Sequence, residues 1–188
     1  MSLIPDFELG LWNAWILMIW LVLQPIFANL FIKDKKTSER LRTSVPVKHE
    51  KALNVISMAA VIIGFIYSIF LPIQYGTIWF YIGGLIFLLG FILYLSIIAT
   101  LRTAATDEPF NKGAYRYSRH PMYVSMLLIF ISGIMITLSW VLLTLLAILL
   151  MHLLIAVPAE EKFCLEKYGD AYREYLKKTP RWIGIPKK

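Results

Sequence analysis

Apolar residues along this chain fall in long unbroken blocks. They do not alternate as in a half-buried strand, and they do not form the single stripe of a surface helix. Leu9–Ile32, Ala52–Ile73, Ile78–Leu101 and Met122–Val157 contain no Lys, Arg, Asp or Glu. A bilayer core of about 30 Å is crossed by roughly 20 such residues in a helix, so each block predicts a spanning helix. The last block has 36 residues. As one straight helix it would run about 54 Å at 1.5 Å per residue, so it predicts a hairpin. The turn is expected at Ile136-Thr-Leu-Ser139, the cluster of small hydroxyl residues in its middle. The first arm, Met122 to about Ile136, is short for a span and calls for little tilt or a thinned bilayer.

The pattern changes at Pro158, which is expected to end the fifth helix and open another. Ala159-Glu160-Glu161 fits an acid-rich first turn. From Glu160 to about Lys178 the sequence is amphipathic, with Phe163, Tyr168, Ala171, Tyr172 and Tyr175 near one face and Gly169 as its weak point. Pro25 predicts a kink in the first helix. Trp12, Trp15 and Trp20 read as interfacial anchors. Gly83, Gly84 and Gly90 read as small residues that admit a neighbouring helix. The expected fold is therefore an all-α polytopic membrane protein, one integral membrane domain over residues 1–188. It has five transmembrane helices, the last two a hairpin, plus a C-terminal amphipathic cytoplasmic helix.

Composition supports this class. Of 188 residues, 59% are hydrophobic and 16% charged, against about 25% charged in soluble domains. The first block is too long, and lacks a small-residue cleavage site, for a signal peptide, so it reads as a retained helix. Charge then sets orientation. Segments 33–51, 102–120 and 158–188 hold seven, four and eight Lys or Arg, together all 19. Five spans place all three on one side, which the positive-inside rule makes cytoplasmic, with the N-terminus outside. The net charge of +7 thus faces anionic lipid headgroups. Topology accounts for it without a nucleic-acid partner. The lone Cys164 excludes an internal disulfide and a cysteine metal site, and no metal is expected.

The loop Gly113-Ala-Tyr-Arg-Tyr-Ser-Arg-His-Pro-Met-Tyr123 gathers two arginines, a histidine and three tyrosines where a membrane helix must begin. Pro121 suits the first helical position, where its missing N–H is not needed. The hairpin returns the chain to the side it left, so Arg119, His120 and Tyr123 should come back beside Glu160 and Glu161. The N-terminus of the fourth helix adds unpaired N–H groups and a positive dipole end, suited to a carboxylate or phosphate. Each residue also fits a plain reading, as flanking charge, aromatic belt or helix-start acid. His152, two turns before the end of the fifth helix, reads as facing a bundle interior or polar cavity. Physical reading alone stops at an interfacial polar site.

The ordered set Gly113-x-Tyr-x-x-x-Arg-His-Pro-Met-Tyr123, the apolar hairpin, Glu160-Glu-x-x-x-Leu-x-x-x-Tyr-Gly-x-x-Tyr-x-x-Tyr175 and Pro180-Arg-Trp182 resembles the isoprenylcysteine carboxyl methyltransferase and phospholipid methyltransferase superfamily. The resemblance covers residues 102–186. It implies an S-adenosylmethionine-dependent methyltransferase acting at the cytoplasmic membrane face. The methyl acceptor would be lipid-like or membrane-partitioned and carry a carboxylate, amine or thiol. It implies that Gly113, Tyr115, His120, Pro121 and Tyr123 bind the cofactor, with Glu160 and Glu161 closing the site. Arg119, Glu160 and Glu161 are the candidate catalytic residues, Arg119 orienting an anionic substrate group or the glutamates. This chemistry is coherent: carboxylates suit the cofactor's amine and ribose hydroxyls, helix N–H groups suit its carboxylate, and aromatic faces suit adenine and sulfonium.

The chain departs from the family pattern just before the glutamates. Many relatives carry an arginine there, where this chain has Ala156, Val157 and Pro158. His152 is expected to take over some of that polar role. Sterol reductases, which use NADPH, share a similar Arg-His-Pro-x-Tyr and Tyr-Gly-x-x-Tyr tail and supply the alternative reading. A non-enzymatic membrane protein ranks behind both. The short length points to a prokaryotic cell membrane.

Overall fold

The structure is a computed structural model describing residues 8, 10–31, 50–102 and 109–187, without the side chains of 50–54. Among the described residues six α-helices follow in order: α1 Trp15–Phe31, α2 Glu50–Ser68, α3 Ile78–Arg102, α4 Pro121–Thr137, α5 Trp140–Tyr168 and α6 Asp170–Lys178. A single 3-10 turn, Gly113–Arg116, lies between α3 and α4. The expected basic loop over 33–49 and the turn signal at Asp107-Glu108 lie outside the described residues.

Two helices, α3 with 25 residues and α5 with 29, are long and apolar enough to cross a membrane. α1, the part of α2 from Val55, and α4 are shorter apolar helices. Among the described residues, the expected five spans appear as two helices that meet the required length and three shorter apolar stretches, α1 being described as far as Phe31 and the side chains of α2 from Val55. At the opposite end of both helices a set of hydrogen bonds sets the boundary. The Asn13 side chain donates to the carbonyls of Glu8 at 2.6 Å and Ile69 at 2.8 Å. The Ala14 N–H donates to the Leu71 carbonyl at 3.0 Å. These bonds hold residues 10–14 and 69–72 in a knot outside the helices. Pro72, with no N–H to give, suits the end of that segment.

The hairpin between α4 and α5 turns on Leu138 and Ser139, inside the expected interval. Leu138 takes the left-handed conformation at φ +53°, and its N–H donates to the Ile134 carbonyl at 2.6 Å. Ser139 then caps α5, its Oγ accepting from the Leu142 N–H at 3.4 Å, as serine does at a helix start. α4 is the central rod and packs against α1, α3 and α5. Its approach to α3 rests on two glycines. A Cβ at Gly83 would stand 2.4 Å from Ile136 Cγ1, and one at Gly90 3.0 Å from Ile129 Cγ1 and from Leu128 Cβ. Ser125 Oγ donates to the Gly90 carbonyl at 2.8 Å in the same seam. Gly84, expected to act likewise, has nothing within 4 Å of such a Cβ.

Three further expectations change. α5 does not stop at Pro158 but runs through it to Tyr168. The proline leaves the Leu154 carbonyl without its helical donor. Buried Ala156 and Val157 before it and Glu161 after it keep the axis in place. The amphipathic segment divides at Gly169, whose φ of +56° suits glycine. Its N–H closes α5 on the Leu165 carbonyl at 2.9 Å, and only α6 remains separate. Trp20 is not an interfacial anchor. It packs between α1 and α3, with ring centroids 4.7 Å from Phe91 and 5.6 Å from Tyr94.

Candidate active site

The site is assembled at the end of the bundle where α4 begins. The turn before α4 enters through Gly113 at φ +55°, so close to α3 that a Cβ would stand 2.1 Å from Thr100 Oγ1. No side chain larger than hydrogen fits there, and Gly113 thereby fixes the path of the loop. Tyr115 is buried against Phe110, and its carbonyl accepts from the Tyr175 hydroxyl of α6 at 2.6 Å. The C-terminal tail runs back along the loop. The Arg119 N–H donates to the Pro180 carbonyl at 3.0 Å, and the Gly184 N–H to the Tyr117 carbonyl at 3.0 Å. The two segments, some sixty residues apart, form one layer over the start of α4.

Pro121 stands at the start of α4 and His120 is its cap residue. The expected convergence on the far arm of the hairpin is present. Arg119 Nη1 lies 3.1 Å from Glu161 Oε1. The His120 ring spans both acids, with Nδ1 3.4 Å from Glu160 Oε2 and Nε2 3.3 Å from Glu161 Oε1. The Tyr123 hydroxyl donates to Glu160 Oε1, and its ring stacks on His120 at 5.9 Å. Extension of α5 beyond Val157 carries the two glutamates to this height. The expected break at Pro158 would have put them in the first turn of a separate helix.

Sequence reasoning missed one principal member. Arg181, quoted within the Pro180-Arg-Trp motif but given no role, clamps Glu161 with Nε 3.1 Å from Oε1 and Nη2 2.7 Å from Oε2. This two-point fork is the geometry that arginine offers a carboxylate. The neighbouring Trp182 ring centres 6.5 Å from His120. The available signal was a lone Arg-Trp pair in a tail with no other reason for an aromatic residue. The expectation that His152 takes over some of the missing arginine's role is corrected. His152 lies nine residues before Glu161 on the same helix, about 13 Å along the axis, and the compensating arginine arrives from the tail.

The two glutamates differ. Glu161 receives four contacts, from Arg119, His120 and both ends of the Arg181 fork, and its side chain is 10% exposed. Glu160 receives two and is 33% exposed. Burial pushes the Glu161 carboxyl upward. The His120 and Arg181 hydrogen bonds and the nearby guanidinium charges outweigh it and hold the group at about 2. Burial likewise opposes the His120 imidazolium, and the two carboxylates reverse that, so its pKa is raised. Both ring nitrogens face acceptors, an arrangement that only the doubly protonated ring satisfies. Below the cluster, burial holds the Tyr172 and Tyr175 phenols well above their ordinary range, so both remain neutral.

With His120 charged, the cluster sets three cations against two carboxylates. Arg119 Nε is buried without a partner, and no side chain caps α4. The residues thus offer an unmatched positive charge, a spare buried donor, a half-open carboxylate and the rings of Tyr123, His120 and Trp182. That donor set fits a zwitterionic cofactor with an amino-acid end and a planar base.

The fold and this cluster define an all-helical protein of apolar helices with an ionic site at one end. A family model described as phospholipid methyltransferase matches residues 78–171, half of the chain. The chain belongs to the phospholipid methyltransferase family, within the superfamily of membrane methyltransferases, and is an integral membrane protein. No curated protein and no solved structure matches it. The match gives nothing to the NADPH reductase alternative, which is set aside.

Proposed function

We propose that this protein transfers a methyl group from S-adenosylmethionine to a lipid-like or membrane-partitioned acceptor at the cytoplasmic face of the membrane. The observation that carries the proposal is the junction of His120 and Tyr123 with Glu160 and Glu161 across forty residues, in a chain of this family. The cofactor supplies an activated methyl group on a sulfonium. The chain's own residues do the rest. Glu160, the more open acid, receives the cofactor's amine or ribose hydroxyls. The N-terminus of α4 and the spare Arg119 N–H receive its carboxylate. Tyr123 and Trp182 supply aromatic faces for the adenine and the cation. Glu161 acts through others: it holds Arg119, His120 and Arg181 in register and is a positioning residue.

Methyl transfer is an in-line displacement. A carboxylate or thiolate acceptor needs no base, so positioning and exclusion of water account for most of the rate. An amine acceptor must lose a proton, and Glu160 takes it in that case, with the cofactor then held by the N-terminus of α4, Arg119 and the rings.

The test is calorimetric titration of S-adenosylmethionine into purified protein. Binding is expected, weakened about tenfold or more in Glu160→Gln through loss of one charge-assisted hydrogen bond. No heat of binding to the wild type overturns the proposal. Orientation is tested separately. A cysteine replacing Lys187 in a Cys164→Ser background should react with an impermeant thiol reagent only in inverted vesicles.

A further inference from the structure

The tail after α6 closes on itself. The Lys187 N–H donates to the Lys178 carbonyl at 2.8 Å, so residues 178–187 form a compact loop whose two ends are joined. Within it Gly184 folds so tightly onto Pro180 that a Cβ would stand 3.0 Å from the Pro180 Cγ. Its inward side is polar and engaged. Arg181 forks onto Glu161, its carbonyl accepts from Ser118 Oγ at 3.4 Å, and Thr179 is buried. Pro180 and Gly184 are bonded to the segment before α4, at Arg119 and Tyr117.

The outward side is apolar. Ile183 is 68% exposed and Ile185 88% exposed. Gly184, between them, is bonded to Tyr117, whose side chain is exposed as well. Single exposed apolar residues need no account. Surface turns in water favour Gly, Pro, Asn, Asp and Ser, and two isoleucines beside a tyrosine on a short braced loop gain nothing there. Cations surround them. Arg116 precedes Tyr117, and Lys178 and Lys187 meet where the loop closes, all three exposed. The neighbouring cations of α6 are spent locally, Arg173 on Asp170 at 2.9 Å and Lys177 on Glu174 at 2.7 Å. Among the described residues Arg116, Lys178 and Lys187 enter no such pair.

Apolar side chains ringed by unspent cations complement a leaflet whose hydrocarbon edge lies beneath anionic headgroups. Such a leaflet is already at hand. Tyr117 stands shortly before Pro121, where the apolar helix α4 begins, in an integral membrane protein.

We propose that the loop 178–187 seats on the membrane: Ile183, Ile185 and Tyr117 enter the headgroup boundary of the leaflet beside the site, and Arg116, Lys178 and Lys187 hold anionic lipid headgroups there. This goes beyond the methyltransferase reading and stands without it. The loop lies outside the matched residues 78–171. Because it is braced before it meets the bilayer, seating orders little further chain. The same loop carries Arg181, so the bilayer surface and the ionic cluster grip one segment from opposite sides.

The test uses the full chain in two kinds of vesicle, phosphatidylcholine alone and phosphatidylcholine mixed with phosphatidylglycerol. A nitroxide on Ile185→Cys in a Cys164→Ser background reports depth, through its access to oxygen against its access to a water-soluble nickel complex. Oxygen should be favoured, and more strongly with phosphatidylglycerol. Ile183→Ser should return the label toward water. Lys178→Gln with Lys187→Gln should remove the phosphatidylglycerol increment, about fivefold in the seated population for each cation lost. Salt at about 1 M, where the Debye length is about 3 Å, should do the same to the unsubstituted cations. Every substituted side chain in the loop is exposed, so the fold should stand. A label equally open to the nickel complex in both vesicles overturns the proposal. Shielding that ignores phosphatidylglycerol overturns the headgroup role. Shielding that follows protein concentration in place of lipid charge overturns it too, and assigns the patch to a second copy of the chain.

Discussion

The two ends of α4 are held by opposite means. Beyond its first turn α4 is fixed by shape: Gly83 and Gly90 admit it against α3, and the remaining contacts are apolar side chains with a few serine hydroxyls. At its start it is fixed by charge, with three cations and two carboxylates drawn from the loop, α5 and the tail. Apolar packing in lipid tolerates many sequences of similar volume. A cluster of ionised groups tolerates few, because each removal strands a partner. The body of the protein is therefore free to vary with its lipid surroundings, while the site end demands particular residues in particular order.

The sharpest way to break that contrast is to remove the acid at the centre of the cluster. Glu161→Ala leaves Arg119 and Arg181 without their carboxylate and His120 with Glu160 alone. Breaking a buried pair on one side costs about 3–5 kcal/mol, so denaturant or thermal unfolding should register a large loss. Glu160→Gln should stay within about 1 kcal/mol of the wild type in stability, since its side chain is a third exposed and partly solvated. If the two substitutions destabilise equally, the division between a positioning acid and an open one is wrong.

Acidity acts on the charged end alone. Glu161 falls from an ordinary 4.5 to about 2 in the folded protein, so its contribution is complete above about pH 4.5 and vanishes as pH falls through 2. That difference corresponds to about 3 kcal/mol. His120 moves the other way. Its folded pKa is raised from 6.5, so its contribution is complete below that value and is lost as pH rises through the raised one. The cluster is tightest between roughly pH 4.5 and 6.5. Unfolding midpoints measured across pH should show both arms, and His120→Gln should flatten the alkaline arm and leave the acid arm.

The shape-held end has its own pair of substitutions. Gly83→Ala would drive a methyl to 2.4 Å from Ile136 Cγ1 and 3.0 Å from the Ser132 carbonyl, an overpacking that costs about 1–3 kcal/mol. Gly84→Ala meets nothing within 4 Å and should be neutral or mildly stabilising by helix propensity. Cofactor affinity should be unchanged in a folded Gly84→Ala. An equal loss from both substitutions would show that the α3–α4 seam does not depend on close approach.

Legibility in the sequence follows the same division. The apolar blocks announced the helices, and the length of the last block required the hairpin that brings His120 to Glu160 and Glu161. Periodicity carried no information about where long-range hydrogen bonds would end helices early, or where packing would carry one past a proline. Asn13 sets the start of α1 through its bond to Ile69, 56 residues away, and no local rule contains that contact. Pro158 read as a stop because soluble helices end there. It does not stop α5, whose packing on both sides holds the axis. Gly83 and Gly84 are indistinguishable by type, and only the direction each faces separates them. Arg181 stayed hidden because its value lies in a fork that closes across 20 residues of chain.

The smallest expected effect tests whether that fork matters as a fork. Arg181 is 44% exposed while its partner is 10% exposed, so the pair is half in solvent and its Coulomb attraction is partly screened. Lysine at 181 keeps the charge and loses one of the two parallel hydrogen bonds. The loss should be about 1 kcal/mol in stability, far below that of Glu161→Ala. The tail would still be tied by backbone bonds from Arg119 to Pro180 and from Gly184 to Tyr117, so cofactor affinity should fall less than threefold. A loss in Arg181→Lys as large as in Glu161→Ala would mean that the tail, through its bidentate grip, holds the cluster together, and that charge alone at the start of α4 does not.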